Sequence, residues 1–405
     1  MDPAVSTVVL VPLLGVAAAL LAAVVGRVVK IPLVVFEIVL GLVAGPSVLG
    51  WVHETDALQA VSNFGLAFLF FMAGNEIDFG AIAGRPLRRA SLTWLISLAV
   101  GILLASLIAG QLITGVYIGI ALTSTALGTL MPVLRDAGEL RTPFGRAVTA
   151  VGAVGEFGPL IAISLFLSGR KPLAAALVLI GFVLIAGGAI WFASRGTHGR
   201  LQDLVSATLH TSGQFAVRLV VLVIAALVGL SIVLGLDMLL GAFAAGVLCR
   251  ILLAGASPAD TRHIESKLEA VAFGVLVPVF FINTGVGFDL KTLVSDPRAL
   301  ILLPIFLVLL LLVRGVPGSF VAPPGSTGRD RAALTLFGAT GLPIIVAVTA
   351  IGVADHDLAS GTATALVGAG MLSVLIFPLV ALLLRRRSAD GGIRPADPDA
   401  IPVEG

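Results

Sequence analysis

Apolar residues run through this chain in long blocks separated by short polar clusters. The blocks fall at roughly 7–26, 31–50, 60–80, 91–112, 116–134, 145–168, 173–194, 213–234, 236–254, 264–284, 299–322, 331–353 and 359–384. A helix needs about 20 such residues to cross the hydrocarbon of a bilayer. The pattern therefore predicts an all-α polytopic membrane protein of about thirteen transmembrane helices. Composition agrees, since 58% of residues are hydrophobic and 12% charged, against about 25% charged in soluble domains. Too little polar surface remains to clothe a soluble globule.

Charge sets the orientation. Nothing basic precedes the first block, Asp2 is acidic, and Arg27 and Lys30 follow it. That order argues for a retained helix with its N-terminus outside rather than a cleaved signal. Threading thirteen spans from there puts Arg85, Arg88, Arg89, Arg135, Arg141, Arg146, Arg195, Arg200, Arg250, Arg262, Lys267, Arg329, Arg331 and Arg385 to Arg387 on the inner side. The outer loops keep Arg170, Lys171, Lys291 and Arg298, with acids around Glu54 and Asp355. The expectation is a multi-pass protein of the cell membrane with a cytoplasmic C-terminus. The membrane domain should occupy residues 1–384, and the polar, Pro/Gly-rich stretch 385–405 a short disordered cytoplasmic tail. The net charge of +2 comes from the inner loops, so no nucleic-acid partner is expected. One cysteine, Cys249, excludes an intrachain disulfide and a cysteine metal set.

The two halves resemble each other. Phe36 to Gly45 lies on Leu236 to Gly246 with Glu37 opposite Asp237 and Gly41 opposite Gly241. Phe68 to Phe79 lies on Val279 to Leu290 with Gly74 opposite Gly285, and Ala121 to Gly128 on Phe337 to Pro343. The threading makes 31–50 start inside and 236–254 start outside, so the repeats, about 31–194 and 236–384, are inverted. A linker helix at about 213–234 joins them. Inverted repeats with interrupted helices at matching positions mark a secondary transporter with a midplane site.

Glu156 is the residue most in need of a reason. It lies within the apolar run from Phe144 to Leu167, where an ionisable group costs roughly 2.5 kcal/mol or more to insert. Such groups usually handle an ion, a proton or a polar substrate; the plainer account is an acid hydrogen-bonded between helices. Gly152, Gly155, Gly158 and Pro159 around it open the backbone to ions and water. Thr123, Ser124 and Thr125 interrupt the fifth block, and Gly341 and Pro343 the twelfth. Hydroxyls and freed carbonyls are hard oxygen ligands, so Na⁺ at Glu156, Thr123 and Ser124 is the candidate metal set. The alternative is that these hydroxyls bond back to their own helix.

Arg314 sits mid-block and needs an anionic partner. Glu156 is the first candidate, with Glu76, Asp78 or snorkelling to the interface as alternatives. Glu37 is either a structural acid or a secondary site. Glu76 and Asp78 read as an interfacial charge cluster beside Arg85 to Arg89, and Asn283 either lines the inner cavity or caps a helix. Nothing resembles a Walker phosphate loop, an HExxH metal motif or a buried nucleophile with its base, and the five histidines fall in loops or at block ends. No enzyme and no cofactor is expected.

Pro32 to Gly50 and Gly65 to Asp78 look like the second and third helices of the monovalent cation:proton antiporter superfamily, in its branch of bacterial Na⁺/H⁺ and K⁺/H⁺ exchangers. Ala121 to Gly145 is similar to that branch's unwound helix and following loop, and Pro278 to Gly285 carries the likeness in the second half. The resemblance implies a sodium/proton antiporter fold with two crossed discontinuous helices, in a homodimer of thirteen-helix protomers. It implies that Glu156 is the ion-binding acid and that Arg314 matches the basic residue many members carry. Two departures stand out. Gly155-Glu156 replaces the Asp-Asp, Asn-Asp or Gln-Asp pair of many relatives, and no nucleotide-binding domain like that of the glutathione-gated exchangers is expected. The expected mechanism is alternating access with cation and proton competing for Glu156. The rivals are a same-fold Na⁺-coupled organic anion symporter, with Arg314 on the substrate, and a channel-like or sensor protein.

Overall fold

The computed structural model describes residues 3–26, 31–77, 79–195, 214–253 and 258–389, all of them helical or in short connections. Arg27, Lys30, Asp78, His198, Arg200 and His210, and the stretch from 390 to the end, lie outside the described residues. Among the described residues, ten helices are long and apolar enough to cross a membrane, and three shorter apolar ones, Leu33–Ala44, Leu173–Gly188 and Met238–Leu253, fill the remaining predicted blocks. The chain is a multi-pass membrane protein.

In chain order the first half has α1 (Pro3–Val25), α2 (Leu33–Ala44), α3 (Asp56–Glu76), α4 (Arg85–Ala109), α5 (Leu112–Leu122), α6 (Leu127–Asp136), α7 (Pro143–Phe166) and α8 (Pro172–Arg195). α9 (Phe215–Val233) links to α10 (Met238–Leu253), α11 (Pro258–Val271), α12 (Val277–Val286), α13 (Pro297–Leu309), α14 (Gly328–Gly338), α15 (Pro343–Ala354) and α16 (Ser360–Ala389). The last helix continues through 385–389, where a disordered tail was expected, because the Arg385 side chain is tied down. It bridges Glu139 at 2.8 Å and Asp330 at 2.5 Å and lies over the Phe144 ring.

Local chemistry explains the helix starts. Thr55 caps α3 by accepting from the Leu58 N–H, and Thr142 caps α7 by accepting from the Gly145 N–H ahead of Pro143. Thr327 and Asp330 form a capping box on α14. Two helices carry a π turn, Ala272–Leu276 and Leu310–Gly315, and each ends two residues before a proline, Pro278 or Pro317. A proline removes one backbone donor and crowds the preceding turn. The helix widens there instead of breaking.

The inverted repeat is visible as packing. α2 lies against α12 and α3 against α10. A Cβ on Gly41 would stand 2.1 Å from the Ile282 carbonyl oxygen, and one on Gly285 2.1 Å from that of Ile38. In the other pair a Cβ on Gly246 would stand 2.0 Å from the Phe71 oxygen, and one on Gly74 2.3 Å from that of Phe243. Gly41 therefore answers to Gly246, Ile38 to Phe243, Gly74 to Gly285 and Phe71 to Ile282. This corrects the expected register by five residues in the first pair of segments; Glu37 matches Ala242 and not Asp237. Glycines recur so often in both segments that several overlays fit the sequence. Only the close helix approach that small residues permit decides among them. Gly241 faces α9 instead, at Leu227 and Ser231.

The remaining helices assemble around the two interrupted segments. α4 packs on α5 and α7, α13 and α14 pack on α16, and α15 packs on α5 and α16.

Candidate functional site

The fifth and twelfth blocks are both broken near their middles. α5 ends at Leu122 and α6 begins at Leu127; α14 ends at Gly338 and α15 begins at Pro343. Such breaks free backbone groups that must find partners inside the protein. Here the breaks partner each other. The Ala126 N–H donates to the Thr340 carbonyl at 2.7 Å, and the Thr125 N–H donates to the Gly155 carbonyl of α7 at 2.9 Å. Gly341 is required at the crossing, since a Cβ there would come 2.7 Å from Ser124 Oγ. Pro343 opens α15 at a position where a missing N–H costs nothing.

The three hydroxyls have separate roles. Thr123 Oγ1 donates to the Ile120 carbonyl at 2.7 Å and Ser124 Oγ to that of Ala121 at 2.8 Å. Both bond back to their own helix, though each oxygen keeps lone pairs. Thr125 Oγ1 reaches across, donating to the Gly338 carbonyl at 2.7 Å and accepting from Arg314 Nε at 2.8 Å.

Arg314 is completely buried and sits on the π turn of the α13 segment. Its Nη2 donates to the Val151 carbonyl, and its Nη1 has no partner among the described residues. No carboxylate lies within ion-pair distance of it among the described residues, so the expected Glu156 pairing is corrected. The reason is helical geometry. Val151 and Gly155 sit four apart and share the face of α7 that meets the guanidinium, whereas one residue on turns about 100° around a helix. Glu156 therefore points elsewhere. Gly155 itself is shaped by the arginine: a Cβ there would stand 2.5 Å from Nη2 and 2.4 Å from Thr125 Oγ1. An arginine so enclosed is a poor candidate for a substrate anchor.

Glu156 is 1% exposed, and its Oε2 has no hydrogen-bond partner among the described residues. The Leu127 N–H, the first of α6, donates to the Thr125 carbonyl at 3.2 Å and also faces the carboxylate. The positive end of a helix and an open carboxyl oxygen thus share one buried point. Glu76, at the end of α3, is within electrostatic reach of Glu156 and has its own enclosed, unpartnered Oε2. Around Glu76 stand Arg135, Arg250, Glu265 and Glu269. Glu76 thus stands at a helix end in a charge cluster, as the sequence suggested, though with Arg135 and Arg250 as its basic neighbours and with Glu156 also in reach.

Ser373 on α16 was missed. It accepts from the Gly341 N–H at 3.1 Å and donates to the Gly370 carbonyl at 2.7 Å, holding the second break from behind. A lone serine in an apolar run gives little warning of this. Asn283 is also displaced from expectation. It donates to Gln59 Oε1 at 3.1 Å in a cavity shared with Glu54, Ser62 and Asp289, on the face predicted to be outside. Glu37 is 4% exposed and lines a separate cavity near Pro32.

The profile described as "Sodium/hydrogen exchanger, transmembrane" matches residues 16–382. The chain belongs to the sodium/hydrogen exchanger family. Among its relatives is YjbQ of Bacillus subtilis, named as a candidate Na⁺/H⁺ antiporter, 28% identical over 382 residues. That match takes in 88% of this chain and 60% of YjbQ, so the chain spans about three-fifths of that relative. The Na⁺/H⁺-K⁺ antiporter GerN of Bacillus cereus is 25% identical over 371 residues, covering 86% of this chain and 88% of GerN. Among solved structures, the sodium proton antiporter MjNhaP1 of Methanocaldococcus jannaschii superposes with a TM-score of 0.64 at 19% identity, over 95% of this chain and 98% of that one. The chain has the sodium/proton antiporter fold.

Proposed function

We propose that this protein exchanges a monovalent cation, Na⁺ first, for H⁺, with Glu156 as the group both ligands share. One observation carries the reading: a fully buried carboxylate with an open oxygen lies against the start of α6, beside two abutting helix breaks. Family membership and the names of its relatives support it. Burial penalises the bare charge, so the site rests either as the protonated acid or as a carboxylate–cation pair. Each ligand displaces the other. Ser124, Thr123 and carbonyls freed at the breaks complete the cation shell. Arg314 acts as a fixed tie, joining Thr125 and α7 across the crossing.

Alternating access would carry the occupied site across the membrane as the helices around the breaks move against the α2–α3–α10–α12 group. The chain would work as a homodimer in the cell membrane, N-terminus outside and C-terminus cytoplasmic. Glu76 and its basic and acidic neighbours would form the inner approach to Glu156. The test uses purified protein in liposomes with a preset pH gradient and a fluorescent pH probe, challenged with Na⁺, K⁺ and Li⁺ in turn. Saturable, cation-dependent collapse of the gradient is expected. A gradient indifferent to all three cations would overturn the reading.

A further inference from the structure

Glu37 has no part in the crossing, yet it is a buried carboxylate for which the described residues offer no hydrogen bond. It lines a cavity of about 360 Å³ together with Pro32, Leu69, Thr129, Val133 and Phe281 among others. The walls are mostly apolar, and among the described residues Glu37 is the one charged group on them. Thr129 is the nearest thing to a second polar group, and its hydroxyl donates to the Ala126 carbonyl at 2.9 Å.

We propose that this cavity is a binding site for a hydrophobic organic ammonium ion, with Glu37 as its anchor. A single carboxylate in an apolar enclosure is the usual form of a small-molecule site, in which shape and greasy area hold the body and one polar group fixes the end. The volume lies at the lower end of the range that small-molecule pockets occupy. An ammonium group pairs with the carboxylate through charge-assisted hydrogen bonds, and burying the two together avoids leaving a naked charge. An inorganic cation is the weaker fit, because hard cations require several oxygen ligands and this cavity offers one carboxylate and one hydroxyl. A phosphate-bearing lipid head would meet a like charge. Gly128 and Thr129 in its wall follow Leu127 on the first turn of α6, so the cavity adjoins the Glu156 site, while its acid belongs to α2 and the proposal rests on Glu37 rather than on the exchange reading.

The test measures binding of radiolabelled phenethylammonium to the full chain in nanodiscs of zwitterionic lipid, with empty nanodiscs as the blank. Saturable binding at one site per chain is expected, weakened at least about ten-fold by Glu37→Gln and retained by Glu156→Gln. Val133→Trp, which fills the cavity without touching the acid, should weaken it as well and keeps the test valid should Glu37→Gln fail to fold. The neutral analogue 2-phenylethanol should not compete. Binding no greater than the blank, binding unchanged in folded Glu37→Gln and in Val133→Trp, equal competition by the alcohol, or competitive displacement by millimolar Na⁺ in the Glu156→Gln background would each overturn the proposal.

Discussion

Arg314 donates to Thr125 at 2.8 Å, and Thr125 passes a hydrogen bond on to Gly338 at 2.7 Å. One guanidinium thereby ties the first break to the end of α14 and, through Val151, to the helix carrying Glu156. The arginine organises the crossing without neutralising its acid. That arrangement leaves the carboxylate without a fixed counter-charge, a position a mobile cation can fill.

The first consequence concerns Glu156. Its replacement by Gln removes the charge but keeps size and burial, so exchange should fall to the level of empty liposomes while the protein stays folded. Glu156→Asp keeps the charge, moved by about one carbon–carbon bond, and should retain part of the activity with a shifted pH profile. Gradient-collapse assays on both variants decide this; normal transport by Glu156→Gln would remove the site assignment.

Arg314→Ala should destabilise the protein by about 3 kcal/mol, because two charge-assisted hydrogen bonds disappear and Thr125 and Val151 lose a buried partner. Arg314→Lys should recover little, since an ammonium cannot serve both acceptors from the same stem. The loss should simply add to that of Glu156→Gln in thermal melts. A coupling between the two well above about 0.5 kcal/mol would restore the ion pair that the geometry denies.

Gly155→Ala inserts a methyl where Arg314 Nη2 and Thr125 Oγ1 already crowd within 2.5 Å and 2.4 Å of the site. Overpacking of this kind costs about 1–3 kcal/mol. In an Arg314→Ala background the guanidinium's share of the clash disappears while that of Thr125 remains, so the same substitution should cost somewhat less. Equal losses in the two backgrounds would show that the methyl meets something other than the guanidinium.

How much of this was legible in the sequence differs by scale. The thirteen apolar blocks match helices because hydrophobicity over about 20 residues is a local signal. Both breaks were readable too, from hydroxyls and from Gly341 and Pro343 inside apolar runs. Relative rotation was not. The order Gly155-Glu156 says that both residues sit near Arg314 in depth, but only packing of α7 against the π turn fixes which of them faces it. The repeat register failed similarly, because Gly41, Gly241 and Gly246 are equivalent letters until a facing carbonyl selects one. Glu76 reads from the sequence as part of a charge cluster at a span's end, and its electrostatic reach to Glu156 depends on how α3 and α7 sit together, which the sequence does not show.

Glu76 also governs the last prediction, the charge moved per cycle. Position 155 is glycine, so the paired acids that let some relatives release two protons are not adjacent here. With Glu156 alone changing state, the two carried forms are a neutral acid and a carboxylate–cation pair. Both bear the same charge, and one cation exchanges for one proton. Such a cycle ignores membrane potential, although 100 mV would act on each net charge moved with about 2.3 kcal/mol. Glu76 is the acid placed to break this balance, being within electrostatic reach of Glu156. Electroneutral exchange requires Glu76 to keep one protonation state through the cycle. Cation uptake at fixed pH gradient should therefore be flat across valinomycin-set potentials, in the wild type and in Glu76→Gln alike. A voltage dependence in the wild type that vanishes in Glu76→Gln would instead make Glu76 the second titrating group and the exchange electrogenic.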